Sequence, residues 1–316
     1  MCARPSGSHT SRRQSHGAVR LRAPVPDDAP AVLAVIRSRE QADFGMSTST
    51  LGDIRDAWDR RELNVALDAV VIETDDDQIV AYADVDRRGT FAVVAAAHEG
   101  RGIGSRLLCW AQTRERDRHH EQHRQWVAAG NTRARALLHA AGYQFVRSHQ
   151  RMARPLDQLP APNTMPGGMR VRPLDVDRDA IAMHALDNAS FSPIADYQPA
   201  SYTAFCDEHL RVHDLDAEIS CVAGNGDTVV AFLLARRWQA RSIGYLDLLA
   251  VHPDHQRRGI ATALLHTAFA GFAAAGLRAA QLAVASDNPR AIRLYERLGM
   301  RPSIRFDTYA RSITGA

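Results

Sequence analysis

Lysine is absent from this chain of 316 residues: all 39 of its basic residues are arginine. Together with abundant alanine, that usage reads as the mark of a GC-rich genome and implies no mechanism. Cysteine is scarce. The four present (Cys2, Cys109, Cys206, Cys221) fit neither metal-ligand spacing nor a disulfide framework, and reduced thiols in a cytosol are the simplest account. No apolar run reaches the roughly 18 residues of a membrane-spanning helix. The first 17 residues, rich in Arg, Ser and His, lack the apolar core of a signal peptide and read as a disordered tail. The chain is therefore expected in the cytoplasm, without a membrane partner. A net charge of +3 is too mild to point to nucleic acid. What is present, 45% hydrophobic and 24% charged residues, is a globular composition long enough for two domains.

The chain repeats itself. VHPDHQRRGIATALL at 251–265 has a worn copy, VAAAHEGRGIGSRLL, at 94–108. One offset, 157, carries Val251 to Val94, Gly259 to Gly102, Asn288 to Asn131 and Gly299 to Gly142 without a gap. VRLRAP at 19–24 and VRPLD at 171–175 open the two halves alike. RPLDQLPAPNTMPGG, 154–168, holds four Pro and two adjacent Gly and reads as a linker, with the boundary near residue 160. The expected division is a tail at 1–17, a first domain at 18–154, a linker at 155–168 and a second domain at 169–316.

In the second half, MRVRPL reads as a strand, DRDAIAMHALDNAS as a helix, and a second helix is expected around 199–212. AEISCVAG and TVVAFLLARRW read as strands turning at Asn225-Gly226-Asp227. SIGYLDLLAV follows as a strand. Ala261, Leu264, Leu265, Ala268, Phe269 and Phe272 recur at helical spacing between Gly259 and Ala275, and Gly276 ends that helix. LRAAQLAVAS reads as a strand, Pro289 to Leu298 as a short helix stopped by Gly299, and the remainder as a closing strand pair.

HPDHQRR therefore lies between a strand ending near Val251 and a helix starting near Gly259. A helix N-terminus presents unpaired N–H groups and partial positive charge, which suit a phosphate. Gly259 and Ala261 keep the approach bare, while Gln256, Arg257 and Arg258 add donors and charge. The expected ligand is an anion, most plausibly a pyrophosphate.

About thirty residues on, SDNPRAIRLYERLGM places Asn288 and Pro289 at a helix start and Tyr295 before Gly299. With Val251 and Pro253 ahead of Gln256-Arg257-Arg258-Gly259-Ile260-Ala261, this pairing resembles the GNAT superfamily of acyl-CoA-dependent N-acyltransferases, over roughly residues 169–310. The tandem layout is similar to the actinobacterial acyltransferases of the mycothiol synthase group. The resemblance implies an α/β (α+β) fold: two tandem GNAT-like domains, each a mixed, largely antiparallel sheet with flanking helices. It implies acetyl-CoA as co-substrate, with no metal, and a small-molecule amine as acceptor. A monomer or homodimer is expected, and nucleic acid is not expected as a partner. The coenzyme contacts it implies are Leu249, Ala250 and Val251 on the strand, Gln256, Arg257, Arg258, Gly259, Ile260, Ala261 and Thr262 on the loop and helix start, and Asn288 and Arg290 beside the pantetheine arm.

Amine attack on a thioester needs a neutral nucleophile, stabilisation of the oxyanion, and a proton for the thiolate. By the resemblance, the backbone of Leu248 to Val251 serves the oxyanion and Tyr295 is the general acid. Many members carry a Glu where this chain has Tyr245. Asp247, two residues on and thus on the same strand face, is the expected base, acting directly or through water. Asp187, Asp196, His209 and His213 lie where the acceptor pocket usually forms. In the first half Glu99 replaces Gln256, Ala96 replaces Pro253 and Leu138 replaces Tyr295, so that half is expected to be non-catalytic. HHEQHRQ at 119–125 reads as a solvated turn. Two alternatives stay open: an acyl group donated by a carrier protein or a tRNA, and a coenzyme-binding module without catalysis.

Overall fold

The computed structural model describes residues 19–159, 165–194, 197–225 and 228–313. The expected tail, Cys2, linker residues 160–164, Asp196 and the turn residues Gly226 and Asp227 lie outside the described residues. In chain order the first half supplies β1 (Val19–Arg22), α1 (Ala29–Phe44), α2 (Leu51–Trp58), α3 (Val65–Asp68), β2 (Ala69–Thr74), β3 (Ile79–Asp86), β4 (Gly89–Val94), α4 (Ile103–Asp117), β5 (Gln122–Ala128), α5 (Thr132–Ala140) and β6 (Gln144–Pro155). The second supplies β7 (Arg170–Pro173), α6 (Val176–Phe191), α7 (Tyr202–Phe205), β8 (Cys221–Asn225), β9 (Thr228–Trp238), β10 (Ile243–Val251), α8 (Ile260–Ala274), β11 (Ala279–Ala285), α9 (Pro289–Arg297) and β12 (Arg301–Ser312). A π-helical turn, Cys206–Leu210, extends α7.

Among the described residues all twelve strands form one sheet, in the order β1-β2-β3-β4-β5-β12-β6-β11-β10-β9-β8-β7. Neighbours are antiparallel except at β4–β5 and β10–β11, which are parallel. From the loops onward, α4 and α8, β5 and β11, α5 and α9, and β6 and β12 each start and stop 157 residues apart. The halves interlock instead of separating at the linker. Strand β12 lies between β5 and β6 of the first half, and β6 lies between β12 and β11 of the second. The expected closing strand pair is thus a single twelve-residue strand. Both its edges are satisfied by the first half, so no return strand is needed.

Side-chain alternation divides the two faces. Val71 and Tyr82 pack with α1, whereas Val70 and Val80 pack with α4. Phe232 and Leu234 pack with α6, whereas Leu233 and Ala235 pack with α8. The helical periodicity of α8 buries Leu264, Leu265, Ala268, Phe269 and Phe272 completely, each large one stabilising by about 1.5–3 kcal/mol. Gly244 on β10 accommodates that packing, since a Cβ there would lie 2.3 Å from the Phe272 ring. The exchange reaches the cores: Met152 and Leu156 complete the second-half core, and Tyr309 is buried in that of the first.

The run HHEQHRQ is not a solvated turn throughout. His123, on β5, is fully buried against Tyr143 with ring centroids 5.4 Å apart. Burial pushes its imidazole down to about 4, so it stays neutral. His120 pairs with the buried Glu115.

Candidate functional site

The two repeated loops share one backbone. Gly259 (φ 85°) and Gly102 (φ 77°) are left-handed caps in front of α8 and α4. Two residues earlier Arg257 (φ 63°) stands where the first half has Gly100 (φ 76°). A left-handed non-glycine residue costs about 1–2 kcal/mol, so the loop of the second half holds strain that the first relieves with glycine. A Cβ on Gly259 or Gly102 would meet nothing within 4 Å. The space in front of each helix is open, and the first-turn N–H groups of Ile260, Ala261 and Thr262 have no intrahelical acceptor.

Around this cradle the polar side chains brace one another. The Gln256 amide donates to the Val251 carbonyl (3.1 Å) and accepts from Arg290 (3.0 Å), joining β10, the loop and α9. Arg258 donates to the Asp254 carbonyl at 2.9 Å, Arg257 is exposed, and the Asn288 side-chain Oδ1 caps α9 by accepting from the Ala291 N–H at 3.0 Å.

The β10–β11 ladder runs from Ile243↔Ala279 to Leu246↔Leu282 and stops. Beyond it Leu248 to Val251, including Leu249 and Ala250, pair with β9 alone and have no partner from β11. The register shifts between Leu246 and Leu248, which makes Asp247 the extra residue of a bulge. Bulges of this kind re-aim a side chain beside active sites.

Asp247 is aimed at an imidazole and a guanidinium. Its Oδ2 lies 2.7 Å from His209 Nδ1 and accepts from Arg236 at 3.0 Å. Burial opposes ionisation, but His209 and Arg236 outweigh it and hold the carboxyl down at about 2. A carboxylate so stabilised is a weak base. This differs from the expectation that Asp247 removes the amine proton itself, because bonds to its partners invisible in the sequence occupy it. The ring of Tyr245 stacks on Trp238 (centroids 4.4 Å apart, planes at 10°). Burial and the Asp247 charge raise its pKa. Tyr295 on α9 packs against the core beneath β10 and β11, where burial pushes its phenol up to about 12 and keeps it protonated.

Of the other acceptor-side candidates among the described residues, only His209 bonds to β10, through Asp247. Asp187 is buried and accepts from the Tyr197 hydroxyl at 2.8 Å. His213 lies against α2 of the first half, with Nδ1 2.7 Å from Asp56. Sequence reasoning missed Arg236 as the second partner of Asp247. Period-two alternation on β9 places it on the face of Phe232 and Leu234, the one signal that could have found it.

A cavity of about 880 Å³ opens on the first half, from Gly100, Gly102 and Gly104 at its loop to His149, Arg151 and Phe306 at the centre of the sheet. There β4 and β5 share a single paired position, Thr90↔Gln125. Glu99 does not stand as a bare charge at the loop: it pairs with Arg39, which also holds Asp43 at 2.8 Å.

The profile of the acetyltransferase (GNAT) family matches residues 181–300, from α6 to the end of α9 and its stop. A relative named mycothiol acetyltransferase from Thermobispora bispora is 30% identical over 289 residues, 87% of this chain and 92% of its own length. The chain belongs to the GNAT acetyltransferase family. A second relative of that name, from Streptomyces coelicolor, is 26% identical over 285 residues, covering 87% of this chain and 88% of its own. The solved structure of a GCN5-related N-acetyltransferase from Sphaerobacter thermophilus superposes with a TM-score of 0.75 at 26% identity, covering 94% of this chain and 96% of that one. The likeness to these proteins therefore runs through both halves, while the matched GNAT segment, with Asp247, the loop and Tyr295, lies in the second. No helix among the described residues is long and apolar enough to cross a membrane.

Proposed function

We propose that this acetyltransferase moves an acetyl group from acetyl-CoA to the amine of a small metabolite, with the chemistry in the domain at 169–316. The domain at 18–154 is non-catalytic, and residues 155–168 link the two. The observation that carries the reading is convergence at the end of β10. The free strand edge at Leu248–Val251 and the His209–Asp247 pair lie on β10, and the open cradle stands at the end of the loop that follows that strand. The relatives' name supports acetyl as the transferred group.

In this reading the N–H groups of Ile260, Ala261 and Thr262 hold the pyrophosphate, with Arg257 and Arg258 adding charge. Gln256 and Arg290 fix the loop against α9, and Asn288 sets the start of that helix beside the pantetheine arm. The free edge of Leu249, Ala250 and Val251 faces pantetheine and supplies the N–H that stabilises negative charge on the carbonyl oxygen. Asp247 orients His209 through Nδ1, so Nε2 takes the amine proton. As the C–N bond forms and the C–S bond breaks, Tyr295 gives its proton to the departing sulfur. Tyr245, stacked on Trp238, shapes the acceptor side.

Thiol release from acetyl-CoA across a panel of small amines tests this assignment. Tyr295→Phe should lower kcat by about 10–100-fold, and Asp247→Asn or His209→Asn by about 10²–10⁴-fold at neutral pH. Equal rates in all three variants and the wild type would overturn these roles.

A further inference from the structure

The arginines of β6 differ in one respect. Arg147 donates to Asp287 at 2.8 Å, and Arg154 donates to the carbonyls of Pro155 (3.1 Å), Leu298 (2.5 Å) and Gln158. Between them, the Arg151 side chain has no hydrogen-bond or ion-pair partner among the described residues, and its Nε is buried without an acceptor. Its guanidinium carbon lies 5.4 Å from the Trp238 ring and 5.7 Å from that of Phe306. The Arg151 side chain lines the 880 Å³ cavity beside His149, whose Nδ1 is also buried without a partner. Other cations of this region are matched: Arg236 by Asp247 and Asp214, Arg237 by Asp216, and Arg305 by Asp307.

Register puts Arg151 on the reacting face. It stands opposite Ala283 of β11, and Gln281, two residues back on that strand, stands opposite Tyr245 of β10. Directly paired residues share a face, so Arg151 looks out on the same side as Tyr245 and Trp238. The Trp238 ring that stacks on Tyr245 is the ring that Arg151 approaches. Gln281 Oε1, on this face too, is buried without a partner.

A partly desolvated guanidinium without a counter-charge is costly. Two aromatic contacts attract the cation but offer no oxygen acceptor to its N–H groups. With rings near it, the fork geometry of a guanidinium matches a planar carboxylate edge-on. We propose that Arg151 is the receptor for a carboxylate carried by a reactant of this cleft, either the acceptor amine or the acyl group. The proposal rests on the acetyltransferase reading above and adds a class of reactant: an amino acid-like acceptor, or an acyl group ending in a second carboxylate.

Calorimetry on the full chain separates the possibilities. In one arm the protein saturated with coenzyme A is titrated with N-acetyl amino acids and with their carboxamides. In the other, acetyl-CoA and succinyl-CoA are compared. The carboxylate form in one arm should bind about tenfold or more tighter than its neutral partner. Arg151→Met should abolish that preference while leaving the neutral ligand unchanged, and Arg151→Lys should retain part of it. A preference in the first arm places the carboxylate on the acceptor, and in the second on the acyl group. Equal affinities in both arms, or a preference that survives Arg151→Met, would overturn the proposal. Should the Met variant fail to fold, Arg151→Lys decides in the same way, since a purely packing role would shift acid and amide together. Failure of acetyl-CoA itself to bind would count instead against the underlying acetyltransferase reading.

Discussion

The loop before α4 and the loop before α8 have the same backbone and different surroundings. Both are capped by a left-handed glycine with open space in front of it. Around the second, Gln256 ties the strand end to α9, and Tyr295 faces the core with a protonated phenol. Around the first, Glu99 is tied to Arg39, Leu138 fills the place of the tyrosine, and the strands beyond the loop part almost at once, leaving the large cavity. The anion cradle therefore belongs to chain geometry and survives substitution. The chemistry proposed for the second loop belongs to side chains, which the first half replaces. Having a hole is separate from having a reaction.

Cutting the halves apart should have the most severe consequence. Without β12, the edges of β5 and β6 that it joins are unpaired, and without β6 the second half loses Met152 and Leu156 from its core. Residues 1–159 and 165–316, expressed alone, should each fail to give a cooperative thermal transition, whereas co-expression should restore one. Two independently folded fragments would show the halves to be neighbours only.

A smaller effect is expected from matched substitutions in the cradles. Gly259→Glu and Gly102→Glu introduce the same side chain at the same backbone angle, so strain is common to both. Calorimetry with acetyl-CoA should show a loss of about a hundredfold or more for Gly259→Glu and less than about twofold at the main site for Gly102→Glu, since a carboxylate in the cradle faces the pyrophosphate directly. Equal losses would move the principal coenzyme site into doubt between the halves.

The mildest consequence concerns an acid that only the first half carries. Asp84 stands opposite Phe91, and the corresponding pair in the second half is Leu234 opposite Leu248. Burial, and next the charge of Asp86, push the Asp84 carboxyl up to about 6, against the hydrogen bond donated by Tyr82. A raised carboxyl pKa means that the folded state holds the proton more tightly than the unfolded chain. Stability is therefore lost as pH climbs from the unfolded value near 3.8 through about 6. Asp84→Asn should raise Tm by about 2–6 °C at pH 8 and by less than about 1 °C at pH 4. The same shift at both pH values would show that ionisation is not the cause.

Much of this was legible from residue spacing. The offset of 157 located paired elements from the loops onward, and the apolar stripe of Leu264, Leu265, Ala268, Phe269 and Phe272 marked α8 within a residue of its ends. The cradle was legible because glycine at a strand–helix junction has a local cause. Strand exchange was not, since β12 alternates equally well whether its neighbours come from its own half or the other. The His209–Asp247–Arg236 cluster was hidden for a related reason: its members come from a π-helical turn, a bulge and a neighbouring strand, and no local pattern relates them. The burial of His123 was illegible because a polar run says nothing about a tyrosine twenty residues on that covers one member.

Two subunits that each lend a last strand to the other make a domain-swapped dimer, and here the pair is a single polypeptide. In a homodimer every substitution occurs twice, once in each subunit, by symmetry. Joined in tandem, a substitution occurs once, while the tether keeps the partner strand at high effective concentration. Glu99 and Leu138 can thus stand in one half without a counterpart in the other, because each half still receives its strand from its partner. The swapped strand is what lets inheritance treat the halves as different genes while folding treats them as one.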